Sequence, residues 1–203
     1  MTAIDLSSEI GLAALGLLTL NLLLGLLLSV NYDPLRSWPH RRINVLQLHN
    51  WTGYIAAAVA LAHPLPLLAA ARMRFAWTQL AWPIHAPSQP IENLLGAIAL
   101  YLVVLVVVTS YYRVEMGKRS WKAIHYLSYA AAALFFVHSL LLDPELRNRP
   151  VDWLDAEKVF VEVCCLLVLA ASLARWFHGQ RNAKRLRVTP ALRRPASAIR
   201  SRD

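Results

Sequence analysis

Five long apolar segments constrain the fold of this chain more than any other feature of its sequence. Hydrophobic residues make up 57% of the 203 residues and are concentrated in these segments. Each segment is long enough, at about 1.5 Å of rise per helical residue, to cross a hydrocarbon core of roughly 30 Å. The pattern predicts an all-α integral membrane bundle with five transmembrane helices, at residues 10–30, 45–71, 91–112, 121–142 and 159–177.

The segments leave room for a single folded domain. Residues 1–178 are expected to form the bundle, and residues 179–203 are expected to form a basic, disordered tail. The first segment has an acidic flank and a long apolar run, so we expect it to remain as an anchor instead of being cleaved as a signal peptide. The adjacent cysteines Cys164 and Cys165 lack metal-site spacing and are interpreted as apolar filler of the fifth helix.

The basic residues predict the orientation of the bundle. With five crossings, sixteen of the 21 lysines and arginines fall on one side of the membrane and five on the other. The positive-inside rule then places the N-terminus outside and the C-terminal tail in the cytoplasm, against anionic lipid headgroups. The net charge of +9 is therefore read as a topology signal, and no nucleic-acid partner is expected. Short loops and the absence of targeting sequences favour a bacterial inner membrane.

Four of the seven histidines lie inside predicted spans, His49 and His63 in the second and His125 and His138 in the fourth. Ionisable or ligating groups are costly in lipid, so histidines at these positions indicate a functional site. The two spans run in the same direction, which puts His49 level with His125 and His63 level with His138. Each pair is suited to clamp one haem iron between two imidazoles.

Two spacings bear on this hypothesis. Small residues share a helical stripe with the histidines and leave room for a porphyrin, although close packing of membrane helices explains the same stripe at least as well. They are Gly53, Ala56 and Ala60 in the second span, with Ser128, Ala131 and Ala132 in the fourth. The 13-residue spacing from His125 to His138 would leave the rings about 140° apart on an ideal helix, so the sequence predicts local unwinding, a bulge, or haems approached from different sides.

The sequence resembles the ferric reductase-like transmembrane domain, the haem module shared by ferric reductases, NADPH oxidases and their bacterial relatives. The resemblance covers roughly residues 43–142. It rests on LHNWTGY at 48–54 followed by His63, on NLLGAIALYLVVLVVVTSYYR at 93–113, and on WKAIHYLSYAAAALFFVH at 121–138. The resemblance implies two b-type haems, an inner one ligated by His49 and His125 and an outer one ligated by His63 and His138.

The resemblance also implies a function, that of a membrane b-type cytochrome passing electrons from a cytoplasmic flavoprotein or a quinol to an external acceptor. The chain has no G-x-G-x-x-G motif and no alternation of strands and helices, so we expect no flavin or NAD(P) site in it and a separate protein as donor. Larger members of the family have six crossings; this chain is interpreted as the electron-conducting component of such an oxidoreductase. Two alternatives remain open: a metal or proton transporter, which predicts clustered carboxylates or cysteines, and a non-catalytic scaffold subunit, which predicts no pigment.

Residues outside the four histidines carry weaker hypotheses. Several basic residues gather near the two ends of the site and suit haem propionates, but headgroup binding explains each of them equally well. They are Arg41, Arg42, Lys118, Arg119 and Lys122 at the inner end, and Arg72 and Arg74 at the outer end. The connection at residues 72–90 either shapes access to the outer site or simply covers the bundle as an interfacial half-helix.

Overall fold

The structure, a computed structural model, describes residues 2–30, 44–71, 75–143 and 152–192, with side chains described as far as residue 181. Within these ranges the regular structure is helical, without strands. The α-helices there are α1 (Ala3–Ser29), α2 (Val45–Ala62), α3 (Trp77–Ala81), α4 (Pro90–Tyr111), α5 (Arg113–Met116), α6 (Lys118–His125), α7 (Leu127–Leu141) and α8 (Ala156–Leu192). Short 3₁₀ helices occur at Leu65–Ala69 and Pro83–His85.

The predicted all-helical fold with five spans is confirmed. In the described ranges, the stretches long and apolar enough to cross a membrane are Ala3–Ser29, Val45–Ala69, Pro90–Tyr111, Lys118–Leu141 and Ala156–Arg181. The first begins earlier than predicted because a capping box starts α1: the Thr2 hydroxyl accepts from the Asp5 amide, and the Asp5 carboxylate accepts from the Thr2 amide. Helix α8 continues to Leu192, into the segment expected to be a disordered tail, and residues 193–203 lie outside the described ranges.

Prolines and one glycine set most of the remaining boundaries. Helix α2 ends at Ala62, with His63 as its C-cap, because Pro64 and Pro66 cannot continue its hydrogen-bond ladder. Gly117 separates α5 from α6 with a φ of 75°, a conformation that side chains with a Cβ rarely adopt. The fourth span is interrupted at Tyr126, directly after His125, where the Tyr129 amide bonds to the Tyr126 carbonyl in a tighter, three-residue turn.

The spans pack as two antiparallel hairpins with α8 alongside. Helix α1 packs against α2, α4 packs against α7, and α8 contacts both α1 and α7. The largest apolar cluster joins α1, α4, α7 and α8, and consists of Leu15, Ala99, Ala132, Phe135, Phe136, Val161, Cys164 and Val168. Cys164 is thus a buried apolar side chain, and both cysteines are free thiols. Large apolar residues on the outer face of α8 are exposed, as expected of a surface that meets lipid.

The connection between α2 and α4 folds back over one end of the bundle. Leu67 and Phe75 are buried there and pack with Ile4 of α1 and Leu142 beyond α7. Leu80 of the short helix α3 joins the same cluster. The connection therefore lies at the end of the bundle that carries His63, and its anchoring is hydrophobic.

Candidate functional site

The structure brings the four membrane histidines together as two pairs. The ring centroids of His49 and His125 are 6.3 Å apart, at an interplanar angle of 76°. Those of His63 and His138 are 6.4 Å apart, at an angle of 68°. All four side chains are partly buried. The rings pair across the two hairpins, α2 facing the α6–α7 span, and this pairing is the one that the sequence predicted.

The spacing of each pair fits an iron atom between two imidazoles. A metal–imidazole bond is about 2 Å long, and each ligating nitrogen lies roughly 1 Å from its ring centroid, so the centroids of two opposed ligands stand about 6 Å apart. Both measured separations agree with this value.

Helix α1 holds the two histidines of α2 by its main chain. The Nδ1 atom of His63 lies 2.9 Å from the carbonyl oxygen of Ser7, and that of His49 lies 3.1 Å from the carbonyl oxygen of Asn21. A carbonyl only accepts, so both Nδ1 atoms must carry the proton. Each Nε2 atom is then left with a free lone pair, the form in which histidine binds a metal.

Helix α4 holds the two histidines of the facing span. The Nδ1 atom of His138 lies 2.7 Å from the carbonyl oxygen of Glu92. His125 differs from the other three, because its Nδ1 atom lies 3.2 Å from the hydroxyl of Ser110. That hydroxyl also accepts from the indole of Trp121, at 3.3 Å. In every case the partner belongs to the antiparallel helix of the same hairpin, so each hairpin orients its own ligands.

Three glycines make these close approaches possible. A Cβ at Gly11 would lie 2.9 Å from Nδ1 of His63, and one at Gly25 would lie 3.2 Å from Cε1 of His49. A Cβ at Gly96 would lie 2.7 Å from Cε1 of His138. Each glycine therefore provides the space that one imidazole occupies.

A cavity of about 170 Å³ lies beside the His63–His138 pair and is lined by both rings. Gly11, Gly96 and Ala60 line it beside the two rings, together with apolar residues of α1, α4 and α7. Phe75, Gln79, Leu80 and Pro83 of the α2–α4 connection also line it. The connection thus borders this site directly.

Lys158 is a buried cation at the same end of the bundle. Its side chain is 5% exposed, and Nζ donates to the carbonyls of Ser139 and Leu142, at 2.7 and 2.6 Å. Ser139 lies in the last turn of α7 and Leu142 directly follows the helix, where carbonyls lack amide partners within the helix. Lys158 therefore caps the helix that carries His138, and it also lines the cavity.

The other residues singled out in the sequence differ in whether they pack against another helix, are exposed or lie outside the described residues. Gly53 faces Asn21 of α1, at 3.2 Å from a Cβ built on it, so its small size serves helix packing instead of a porphyrin. Ala131 likewise packs against Ala57 and Val103. Lys118, Arg119 and Lys122 are exposed on α6, and the Lys122 ammonium lies 5.8 Å from the ring centroid of Tyr126. Arg41, Arg42, Arg72 and Arg74 lie outside the described residues.

The transporter alternative predicted carboxylates or cysteines clustered at mid-membrane depth. In the part of the chain that the structure describes, no group of three or more histidine, cysteine, aspartate or glutamate side chains is placed to hold a metal ion. Cys164 is instead part of the hydrophobic core. The described geometry suits two ligands for each metal, with the remaining bonds supplied by another group.

Sequence reasoning missed the residues that orient the histidines. Ser110, Lys158 and the three glycines were not singled out. One signal was available for the glycines of α1: Gly11 and Gly25 are 14 residues apart, the same spacing as His49 and His63 on the antiparallel neighbour. Lys158 carried no comparable signal, because a lysine at the boundary of a span is usually an interfacial charge.

Comparison with known proteins adds a family match. The family model described as "Ferric reductase like transmembrane component" matches residues 10–136, more than half of the chain. The match includes His49, His63 and His125, and ends two residues before His138. Neither the curated proteins nor the solved structures gave a match.

Proposed function

Because the chain belongs to the ferric reductase-like transmembrane family, we propose that it is a membrane b-type cytochrome that conducts electrons across the bilayer. His49 and His125 would hold an inner haem b, and His63 and His138 an outer one. The observation that carries the proposal is the geometry of the two pairs: their ring centroids are 6.3 and 6.4 Å apart. Three of the four rings also have Nδ1 on a carbonyl, so Nε2 is free.

The protein would contribute spacing, burial and ligand orientation. When bound, the two haems would supply one-electron carriers at two depths of the membrane. Because two histidines would ligate each iron, the iron would have no open position to which oxygen could bind directly. The carbonyl acceptors on α1 and α4 hold three of the four rings in the tautomer that ligation would require.

The donor and the acceptor belong to the same proposal. We place the donor on the cytoplasmic side and identify it as a separate flavoprotein, with a membrane quinol as the second choice. Helix α6 leads directly into His125 and exposes Lys118, Arg119 and Lys122, a basic surface that an acidic docking face would complement. The acceptor would approach from the opposite side, where the α2–α4 connection borders the cavity around His63 and His138.

The experiment is a spectroscopic count of haem in the purified full-length chain and its histidine variants. We expect reduced-minus-oxidised b-type absorbance and two haems per chain. His49→Ala or His125→Ala should each remove one haem, and His63→Ala or His138→Ala the other. His85→Ala, in the connection outside the spans, is the matched control and should keep both. A colourless chain after expression with sufficient haem would contradict the proposal and favour a scaffold subunit.

A further inference from the structure

Three of the four histidines are held by one repeated backbone arrangement. The carbonyl acceptor belongs to residue i of an antiparallel helix, and a glycine occupies position i+4, where the imidazole enters. The pairs are Ser7 with Gly11 for His63, Asn21 with Gly25 for His49, and Glu92 with Gly96 for His138. A helical carbonyl has a second lone pair beyond its own ladder bond, and the missing Cβ exposes it. We call this arrangement the glycine notch.

The 14-residue spacing of the notches on α1 predicts a fourth notch on α4, but a serine occupies the position of its glycine. Fourteen residues after Glu92 and Gly96, α4 carries Val106 and Ser110. Helix α4 is continuous from Pro90 to Tyr111, so these positions lie on nearly the same face. Here the hydroxyl of Ser110, and not the carbonyl of Val106, faces Nδ1 of His125.

Because a hydroxyl replaces a carbonyl as the partner of Nδ1, the hydrogen bond of His125 differs from those of the other three histidines. A carbonyl forces the proton onto Nδ1, whereas a hydroxyl either accepts or donates, so the main chain does not dictate the tautomer of His125. The Ser110 oxygen also shares its lone pairs with the indole N–H of Trp121. A neutral, shared hydroxyl is a weaker acceptor than a carbonyl, and a weaker acceptor makes the imidazole less basic toward the iron.

Building on the proposed function, we infer that Ser110 is a positioning residue that sets the inner haem site apart from the outer one, by replacing the glycine notch at His125. Ligation through Nε2 would leave the proton of His125 on Nδ1, and the Ser110 hydroxyl would then accept from Nδ1 more weakly than a main-chain carbonyl does. The redox potential of the inner haem would then depend on one side chain that is not itself a proposed ligand of the iron.

The test is a redox titration of the full-length, haem-loaded chain with Ser110→Ala and Ser110→Gly. Ser110→Ala removes the acceptor, so the potential of the inner haem should rise. Ser110→Gly should open the Val106 carbonyl to His125, as Gly96 opens that of Glu92, and bring the potential below that of the alanine variant. The outer haem should not move in either. Ser29→Ala is the matched control, because that serine hydroxyl donates to the Leu26 carbonyl of its own helix, α1, and not to Val106.

The outcomes separate this inference from the proposed function. If the alanine variant loses the inner haem while the glycine variant keeps it, the inference is supported as well. If both variants keep two haems at wild-type potentials, or if alanine and glycine act alike, the role assigned to Ser110 is wrong although the haem sites stand. If the unmodified chain binds fewer than two haems, the proposed function itself fails.

Discussion

The first prediction concerns the steric effect of replacing Gly96, which lies beside the ring of His138. In Gly96→Ala the new Cβ would lie 2.7, 2.8 and 2.9 Å from three atoms of the His138 ring. Carbon atoms in comfortable contact are about 3.5–4.0 Å apart, so the ring must retreat by roughly 1 Å. It cannot do so in place, because its Nδ1 is bonded to the Glu92 carbonyl at 2.7 Å. We expect the outer haem to be lost or bound at least tenfold more weakly, in line with the roughly 10–100-fold effect of disturbing a metal ligand's own hydrogen-bond partner.

The glycine contacts predict a graded series. Gly11→Ala brings Cβ to 2.9 Å from Nδ1 of His63 and should weaken the outer haem, whereas Gly25→Ala reaches only 3.2 Å from His49 and should weaken the inner haem less. Gly16→Ala is the matched control within α1, since its Cβ would meet only Phe160, at 3.4 Å. Alanine is the better helix former by about 1 kcal/mol, so a loss of haem could not be blamed on helix propensity.

The assay is haem per chain from the absorbance of the purified variants, with the melting temperature of each chain measured in parallel. The steric reasoning requires that Gly96→Ala lose one haem and keep the other. It would be refuted if Gly96→Ala kept two haems with unchanged spectra. It would equally be refuted if Gly16→Ala lost as much haem as Gly96→Ala did.

Three further predictions concern the scaffold. Lys158→Met should lower the melting temperature, because the carbonyls of Ser139 and Leu142 would each lose a donor at a cost of about 1–3 kcal/mol. An unchanged melting temperature would contradict the capping role of Lys158. Asn21→Leu should destabilise the α1–α2 hairpin by about 1 kcal/mol, measured by thermal unfolding, because the Asn21 amide donates to the Thr52 hydroxyl at 2.8 Å. A reporter protein that works only in the cytoplasm should be active when fused to the C-terminus, and one that works only outside should be inactive. The opposite result would contradict the predicted orientation.

The fold was predictable to the level of spans because membrane length and hydropathy alone determine them. All five predicted spans exist, but their ends moved where local chemistry acts: the capping box of Thr2 and Asp5 extends α1, and Pro64 shortens the α-helical part of the second span. Such shifts depend on single hydrogen bonds and ring constraints, which an average over an apolar segment does not register. The pairing of the hairpins follows from the histidines themselves, because only matching depths bring the rings to 6.3 and 6.4 Å.

The acceptors of the histidines could not be predicted from residue chemistry, because every residue except proline has the same carbonyl and amide. The sequence indicates these acceptors only indirectly, through the glycines beside them. Gly11 and Gly25 repeat at the 14-residue spacing of His49 and His63, and antiparallel packing brings each glycine level with one ring. A glycine in an apolar helix is usually read as a close helix contact, and Gly53 does serve that purpose here. Only the facing histidine distinguishes the two cases.

The α4 hairpin shows why the irregular spacing of its ligands does not disturb the site. The holding positions Gly96 and Ser110 are 14 residues apart in an unbroken helix, whereas His125 and His138 are 13 apart. The turn at Tyr126 lies between these histidines and replaces a straight helix that would leave their rings about 140° apart. Helix α4, which supplies the hydrogen-bond partners, thus stays regular. The irregularity lies in the span that carries His125 and His138, where a turn changes the direction of a side chain. A break in α4 would displace an acceptor carbonyl together with the helical hydrogen bonds around it. A break after His125 instead rotates the His125 ring, and the Ser110 hydroxyl still lies 3.2 Å from Nδ1 of that ring.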